Sequence, residues 1–447
     1  MAVFSLAGRS LKLDSEDDVA DHVDALVSLG PTVSRIDLSG NTFGVGAAAA
    51  LAGALRSLSL SPSGQNDEQE KDESNNNVDK DNNNKTTTTK TKTTAVAPSL
   101  AAANLADIFT GRLREEIPAA LDHLLPALLD LSSLHTVDLS DNALGLAAVD
   151  PLAKFLSQHT PLQHLILANN GFGPVAGAKV ATALSELADA KLKVSASPLE
   201  TVVCGRNRLE NGSMQAWSQA FAKNNQIREI RLYQNGIRQD GIDLLLTTGL
   251  NQTKNLQKLD LQDNTFTAKG ALALAQVLPS WAPELVELGI GDCLLSSRGG
   301  EILATAFRDS DVVFGKLEIL RLQYNEIEAN GVKILADAIN SNLPVLKTLE
   351  LNGNKFSEDH PVVAKLNALF EDRGFGELDD LSDMEEESDE EEEEESEAEE
   401  EAEEEEEEIE RGAGSKQAAQ QEAEPVAQEE SEEIDQEVAD KIAALKI

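Results

Sequence analysis

Apolar residues recur along this chain in one arrangement, Leu-x-x-Leu-x-Leu-x-x-Asn-x-Leu. It appears as Val33, Ile36, Leu38, Asn41 and Phe43, then as Leu134, Val137, Leu139, Asn142 and Leu144. It returns as Leu162, Leu165, Leu167, Asn170 and Phe172, as Leu199, Val202, Cys204, Asn207 and Leu209, and as Ile227, Ile230, Leu232, Asn235 and Ile237. Further copies centre on Asn264, Cys293, Asn325 and Asn354. The asparagines fall 28 or 29 positions apart, as from Asn207 to Asn235 and from Asn235 to Asn264. The alternating Leu-x-Leu piece predicts a short strand with its apolar residues on one side. The Ala/Leu-rich second halves, such as GAAAALAGALRSL after Asn41, predict helices. Each Asn sits where the chain leaves the strand, and its amide can bond backbone groups that would otherwise be buried unpaired.

A period this long is that of leucine-rich repeats. Two degenerate copies, Phe4 to Leu11 and Leu100 to Ile108, bring the count to about eleven. The expected fold is α/β: a ribonuclease-inhibitor-like horseshoe solenoid, with parallel strands inside and helices outside. Cys204 and Cys293 fall at packing positions of the repeat, so both are expected to be buried rather than catalytic. The repeat domain is drawn over residues 1–376. Residues 61–97 are polar and low in complexity, and removing them restores one repeat between Asn41 and Ile108, so they read as a disordered inserted loop. A docking or modification site is the alternative for that loop. DHPVVAKLNALFED suggests a terminal capping helix near Pro361 to Phe370.

Charge changes the picture beyond that point. The chain carries 80 acidic and 37 basic residues, a net charge of -43. From Glu377 to Glu410, 25 of 34 positions are acidic and none is Lys or Arg. Residues 377–410 are therefore expected to be an acidic tail without a core, and 411–447 a linker with a short amphipathic end. In that end Val438, Ile442, Leu445 and Ile447 match the spacing of a leucine-rich nuclear export signal, which would engage an export receptor, but they fit an ordinary terminal or partner-binding helix as well. So acidic a chain argues against nucleic acid and favours a partner with a basic face. Two cysteines make no disulfide framework, and no apolar run approaches the ~18 residues of a membrane span.

Candidate chemistry is sparse. There is no phosphate-cradling Gly-x-x-x-x-Gly-Lys-Ser/Thr, no His-Glu-x-x-His or Cys-x-x-Cys, and the six histidines are scattered singly. No metal site or nucleophilic triad is expected, and the chain reads as a recognition surface. Surface columns follow from the repeat. The residue before each ladder position forms a rim: Gly40, Asp141, Asn169, Arg206, Gln234, Asp263, Asp292, Tyr324 and Gly353. A second column lies on the concave side and includes Asp37, Asp138, Arg231, Asp260, Arg321 and Glu350. Specific residues in such columns suggest binding where folding needs none of them, and a merely solvated rim is the alternative. Two segments stand out: DIFTGRLREEIP, with Arg112 and Arg114, and CGRNRLENGSMQAW, with Arg206 and Arg208 flanking Asn207. Arginines on the rim of an acidic protein suggest an acidic or phosphorylated partner.

In those segments and in HTPLQHLILANNGFGP, QNGIRQDGI, LDLQDNTFT, LRLQYNEIE and GELDDLSDMEE, the chain resembles the Ran GTPase-activating protein family over roughly residues 1–60 and 98–382. The resemblance implies a protein that binds the GTP form of the small GTPase Ran and accelerates hydrolysis, the chemistry being the GTPase's own. It needs no cofactor, since GTP and Mg²⁺ belong to the partner. It implies that Asn169 contacts a switch tyrosine of Ran and so helps to order the GTPase's catalytic Gln, with no inserted arginine finger. Arg112 matches the essential Arg of FTGR, with interfacial pairing as its implied role. Arg114, Asp141 and Arg206 are weaker partner-binding assignments. A Ran-binding accessory protein is a further partner to consider. A monomer is expected, cytoplasmic or perinuclear, kept from the nucleus by size or export, and without the pore-docking domain of animal forms or the targeting domain of plant forms. A tail that steers association with Ran's basic patch fits this reading, although a solubilising tail would look the same. Two alternatives stand beside it: a non-catalytic scaffold of the ribonuclease-inhibitor type, and an acidic leucine-rich protein that binds histones.

Overall fold

A computed structural model describes residues 2–59 and 100–385 in two compact units, the first ending at Leu165 and the second beginning at Ile166. The loop 61–97, most of the acidic tail and the export-signal candidates Val438, Ile442, Leu445 and Ile447 lie outside the described residues.

In the first unit, β1 (Ala2–Ser5), β2 (Lys12–Leu13) and α1 (Glu16–Leu29) precede β3 (Val33–Asp37), β4 (Thr42–Phe43) and α2 (Val45–Ser59). Then come β5 (Ala102–Asn104), α3 (Glu116–Leu129), β6 (Thr136–Asp138) and α4 (Val149–Gln158), and β7 (His164–Ile166) leads into the second unit. Strands β1, β3, β5 and β6 form a parallel ladder in which Ile36, Ala103 and Val137 stand side by side. All three are at most 1% exposed, while the residues that flank them in each strand are not buried. That alternation is the strand pattern read from the sequence. The helices α1 to α4 pack successively against one another. Ser15 caps α1 in a reciprocal box with Asp18, and the bonds that Asp18 accepts from the Ser15 backbone and hydroxyl lower its carboxyl pKa.

The second unit repeats the scheme with α5 (Gly173–Val194), β8 (Thr201–Val203), α6 (Glu210–Lys223), β9 (Glu229–Arg231), α7 (Gln239–Leu244), β10 (Lys258–Asp260) and α8 (Thr267–Val277). It continues through β11 (Glu287–Gly289), α9 (Ser296–Arg308), β12 (Ile319–Arg321), α10 (Ala329–Ser341), β13 (Thr348–Glu350), α11 (Pro361–Arg373) and β14 (Glu377–Leu378). Strands β8 to β14 pair in parallel in sequence order. Val202, Ile230, Leu259, Leu288, Leu320 and Leu349 form the buried row, each 0% exposed. Burying a side chain of this size contributes roughly 1.5–3 kcal/mol, so the repeated leucines dominate stability.

The asparagines do what their position demands. Asn235 Nδ2 donates to the Cys204 and Leu232 carbonyls at 3.0 and 2.8 Å, and its Oδ1 accepts the Asn207 N–H at 2.9 Å. Asn142 does the same for the degenerate repeat, binding the Leu105 carbonyl and the Ile108 N–H at 2.8 and 2.9 Å. Cys293 cannot accept in this way, but its own N–H still reaches Asn325 Oδ1 at 2.9 Å. Cys204 and Cys293 are both 0% exposed, and burial pushes both thiols up, as packing residues require.

The ladder continues past Gly376. β14 pairs with β13, the Asp379 carboxylate accepts the Leu351 and Asn352 N–H groups at 2.7 and 3.0 Å, and Leu381 is 8% exposed. The first residues of the acidic stretch are therefore part of the folded array. Net charge marks where the tail becomes acidic, whereas the apolar pair Leu378 and Leu381 marks where packing stops.

Candidate functional site

Within the first unit, Arg112, Arg114 and Asp141 lie at or beside strand exits. Asp107 takes the left-handed conformation, with φ 51°, and donates its N–H to the Ser140 carbonyl at 2.9 Å. Thr110 bonds the Asp107 carboxylate and its carbonyl accepts the Thr42 hydroxyl at 2.6 Å. Gly111, with φ 79°, turns the chain, and Arg112 follows. The Arg112 guanidinium points into its own unit: it pairs with Asp14, reaches Thr42 Oγ1 and the Thr42 carbonyl at 3.3 Å, and reaches the Leu13 carbonyl at 3.5 Å. Its side chain is 11% exposed. Gly44 makes room for it, because a Cβ there would stand 2.6 Å from the Asp14 carbonyl oxygen and 3.2 Å from Arg112 Nη1. Leu113 and Arg114 are exposed, the leucine by 68%. Asp141 is exposed one repeat on, with φ 60°.

In the second unit, Asn169 and Arg206 occupy adjacent rim positions. Asn169 is exposed with φ 54° and donates its N–H to the Gly205 carbonyl at 2.9 Å. Asn170 beside it is buried in the ladder, so two consecutive asparagines face opposite environments. Arg206 is exposed with φ 57° and donates its N–H to the Tyr233 carbonyl at 2.9 Å. Gln234, Asp263, Asp292 and Tyr324 continue the column, with φ between 52° and 55°. Every repeat thus leaves its strand through a left-handed residue. Glycine suits that conformation best, and Gly40 and Gly353 adopt it with φ 70° and 72°. Arg and Gln side chains there oppose the backbone preference, which points to contacts beyond the chain, whereas Tyr324 is used within it, its hydroxyl bonding Asp383.

Electrostatics separate the rim from the strand face. Arg231, Asp260, Arg321 and Glu350, read from the sequence as a second candidate surface, are tied together through Glu287, which is 5% exposed. Arg321 Nη1 reaches Glu287 at 2.6 Å and Arg231 Nη2 reaches it at 3.4 Å, while Arg231 also holds Glu229 at 2.7 Å and Arg321 holds Glu350 at 3.0 Å. Burial alone would raise the Glu287 carboxyl, but the Arg321 hydrogen bond and the charges of Arg231, Arg321 and Lys258 bring it below the usual carboxylate range. On the rim, burial and the charge of Asp263 raise the Asp292 carboxyl. The rim at Asp263 and Asp292 lines an open depression of about 400 Å³ with Arg208, Gln234 and Thr265.

Among the described residues, no three His, Cys, Asp or Glu side chains come together as a metal ion would need, and no helix is long and apolar enough to cross a membrane. Sequence reasoning found the rim and the FTGR segment. It missed Leu13, Asp14, Thr42 and Gly44, the residues around Arg112; nothing in the repeat spacing links positions such as Thr42 and Leu13, 70 and 99 residues away.

The leucine-rich repeat family model matches residues 253–275. Among solved structures, an internalin from Listeria monocytogenes aligns over 80% of each chain at 15% identity with a TM-score of 0.38; the repeat class rests instead on the strand and asparagine ladders above. A Ran GTPase-activating protein 1 of Saccharomyces cerevisiae is 38% identical over 373 residues, covering 83% of this chain and 82% of the yeast protein. A Ran GTPase-activating protein of Drosophila melanogaster is 30% identical over 82% of this chain and 54% of its own length. The Xenopus laevis Ran GTPase-activating protein 1 is 33% identical over 52% of this chain and 34% of its own length. A repeat array matched along its length to the yeast protein at that identity belongs to the Ran GTPase-activating protein family.

Proposed function

We propose that this protein binds the GTP form of a Ran-type small GTPase and accelerates hydrolysis of its GTP to GDP and phosphate. The GTPase supplies the nucleotide site, the Mg²⁺ and the Gln that orients the attacking water; this chain supplies a surface that fixes them. The observation that carries the reading is Asn169, an exposed amide on a left-handed strand exit whose backbone is tied to Gly205. An amide held so can contact a switch side chain of the partner and restrict its Gln to a productive pose, a preorganisation effect. Arg112 supports a mechanism without an inserted arginine, because leaving its site would cost the Asp14 pair and three further hydrogen bonds. An inserted arginine adds roughly 10³–10⁵ in rate where it is used. Arg114, Asp141 and Arg206 are assigned to holding the partner. In this reading the protein acts in nucleocytoplasmic transport, on the cytoplasmic side.

Single-turnover hydrolysis of GTP preloaded on Ran tests this. Addition of the purified chain is expected to raise the rate by orders of magnitude. A chain that binds GTP-loaded Ran without changing the rate would be a scaffold, and the proposal would fall.

A further inference from the structure

Arg112 is the residue that family resemblance sets against the GTPase, yet its guanidinium is turned inward. We infer that Arg112 is a positioning residue: with Asp14 it clamps the 109–115 loop to β2 and β4, which pair in parallel, and Leu113 and Arg114, not Arg112, dock onto the GTPase. The partner is taken from the activating function proposed above; the clamp itself is a property of this chain alone.

Each contact of the loop serves to fix it. The Arg112 N–H binds the Phe109 carbonyl at 3.0 Å, the Leu113 N–H binds Glu116 Oε2 at 2.9 Å, and Phe109 is only 4% exposed. Thr42 is used twice, donating its hydroxyl to Thr110 and receiving Arg112 on its hydroxyl and carbonyl oxygens. Gly44 lacks the side chain that would crowd Asp14 and Arg112. The product of all this fixing is a tip on which a leucine, 68% exposed, precedes an exposed arginine. An apolar anchor beside a cation, held rigid before contact, loses little freedom on binding and fits an apolar patch edged by carboxylates. In this arrangement Arg112 affects the partner only through the loop.

The test combines hydrogen exchange of the free protein with steady-state kinetics on GTP-loaded Ran, using Asp14→Asn, Arg112→Lys, Arg112→Ala, Leu113→Ser and Arg114→Ala. Asp14 is 67% exposed, so its substitution leaves the core intact. Asp14→Asn and both Arg112 variants are expected to speed exchange of the Arg112 and Leu113 amides while the strand amides keep wild-type protection. Each is expected to raise KM for Ran about tenfold with kcat within about threefold, and the Asp14→Asn/Arg112→Ala double variant to be no worse than Arg112→Ala, the non-additivity of one shared interaction. Leu113→Ser and Arg114→Ala should raise KM with wild-type exchange. Wild-type exchange and KM in Asp14→Asn, beside a large kcat loss in Arg112→Ala, would overturn the inference while leaving the activating function in place. An inactive wild type would refute that function and the docking role with it, and unchanged exchange in the Asp14 and Arg112 variants would refute the clamp.

Discussion

The Tyr324 hydroxyl donates a 2.8 Å hydrogen bond to the Asp383 carboxylate, joining the rim to the start of the acidic stretch. The Asp383 N–H returns to Asn352 Oδ1 at 2.9 Å, and the Glu385 N–H binds the Asn354 carbonyl at 3.0 Å. The bond to Asp383 also raises the Tyr324 phenol above its usual range. Residues 377–385 therefore close the open end of the second unit's ladder.

Truncation separates this cap from the rest of the tail. A chain ending at 376 exposes the β13 edge and the Leu351 and Asn352 N–H groups that Asp379 satisfies, a loss of about 1–3 kcal/mol. A chain ending at 385 keeps them. Thermal unfolding should show a lower Tm for the first and an unchanged Tm for the second. Equal Tm values would remove the cap.

Glu287 links stability to pH. Its folded pKa lies below the ordinary 4.5, so its contribution is present above that value and is lost as pH falls through the folded pKa. Glu287→Gln should cost about 1–3 kcal/mol at pH 7, less than for a fully buried pair because Arg231 and Arg321 remain about a quarter exposed. The difference from wild type should shrink as pH falls below 4.5 and through the lowered folded pKa. Denaturant unfolding at several pH values measures it; a gap independent of pH would contradict the network.

The left-handed rim predicts a trade between stability and binding. Arg206→Gly relieves a left-handed strain of about 1–2 kcal/mol while adding unfolded-state entropy of about 0.5–1 kcal/mol. The variant should be as stable as wild type or up to about 1 kcal/mol more so, yet weaker toward GTP-loaded Ran. A destabilised Arg206→Gly would mean that the side chain serves the fold.

Removing 386–447 should slow association with Ran more than it lowers the maximal rate, because the deleted residues hold most of the excess negative charge. The effect should fade as salt rises from 0.05 to about 0.5 M, where the screening length drops to a few ångströms. Stopped-flow binding reads it directly, and an effect that salt leaves untouched would argue against steering.

How much was legible follows from which forces are local. The strand rows, the asparagine ladder and the buried cysteines repeat every 28 or 29 residues, so periodicity alone located them. Asn169 and Arg206 emerged as rim residues for the same reason. The left-handed backbone was legible only in part, through Gly40 and Gly353 in the column. The Arg112 clamp was not, because it joins a loop to Asp14 and Thr42 across an insertion of no fixed length. The strand-face charges looked available because sequence cannot show that Glu287 lies between Arg231 and Arg321 and occupies both.

In the proposed function an exposed amide at Asn169 orders the catalytic machinery of another protein. Single-turnover hydrolysis at saturating Asn169→Ala, with binding measured in parallel, tests it most directly. A rate lowered about 10²–10³-fold with affinity for GTP-loaded Ran within about threefold is the predicted result. A wild-type rate from Asn169→Ala would contradict it.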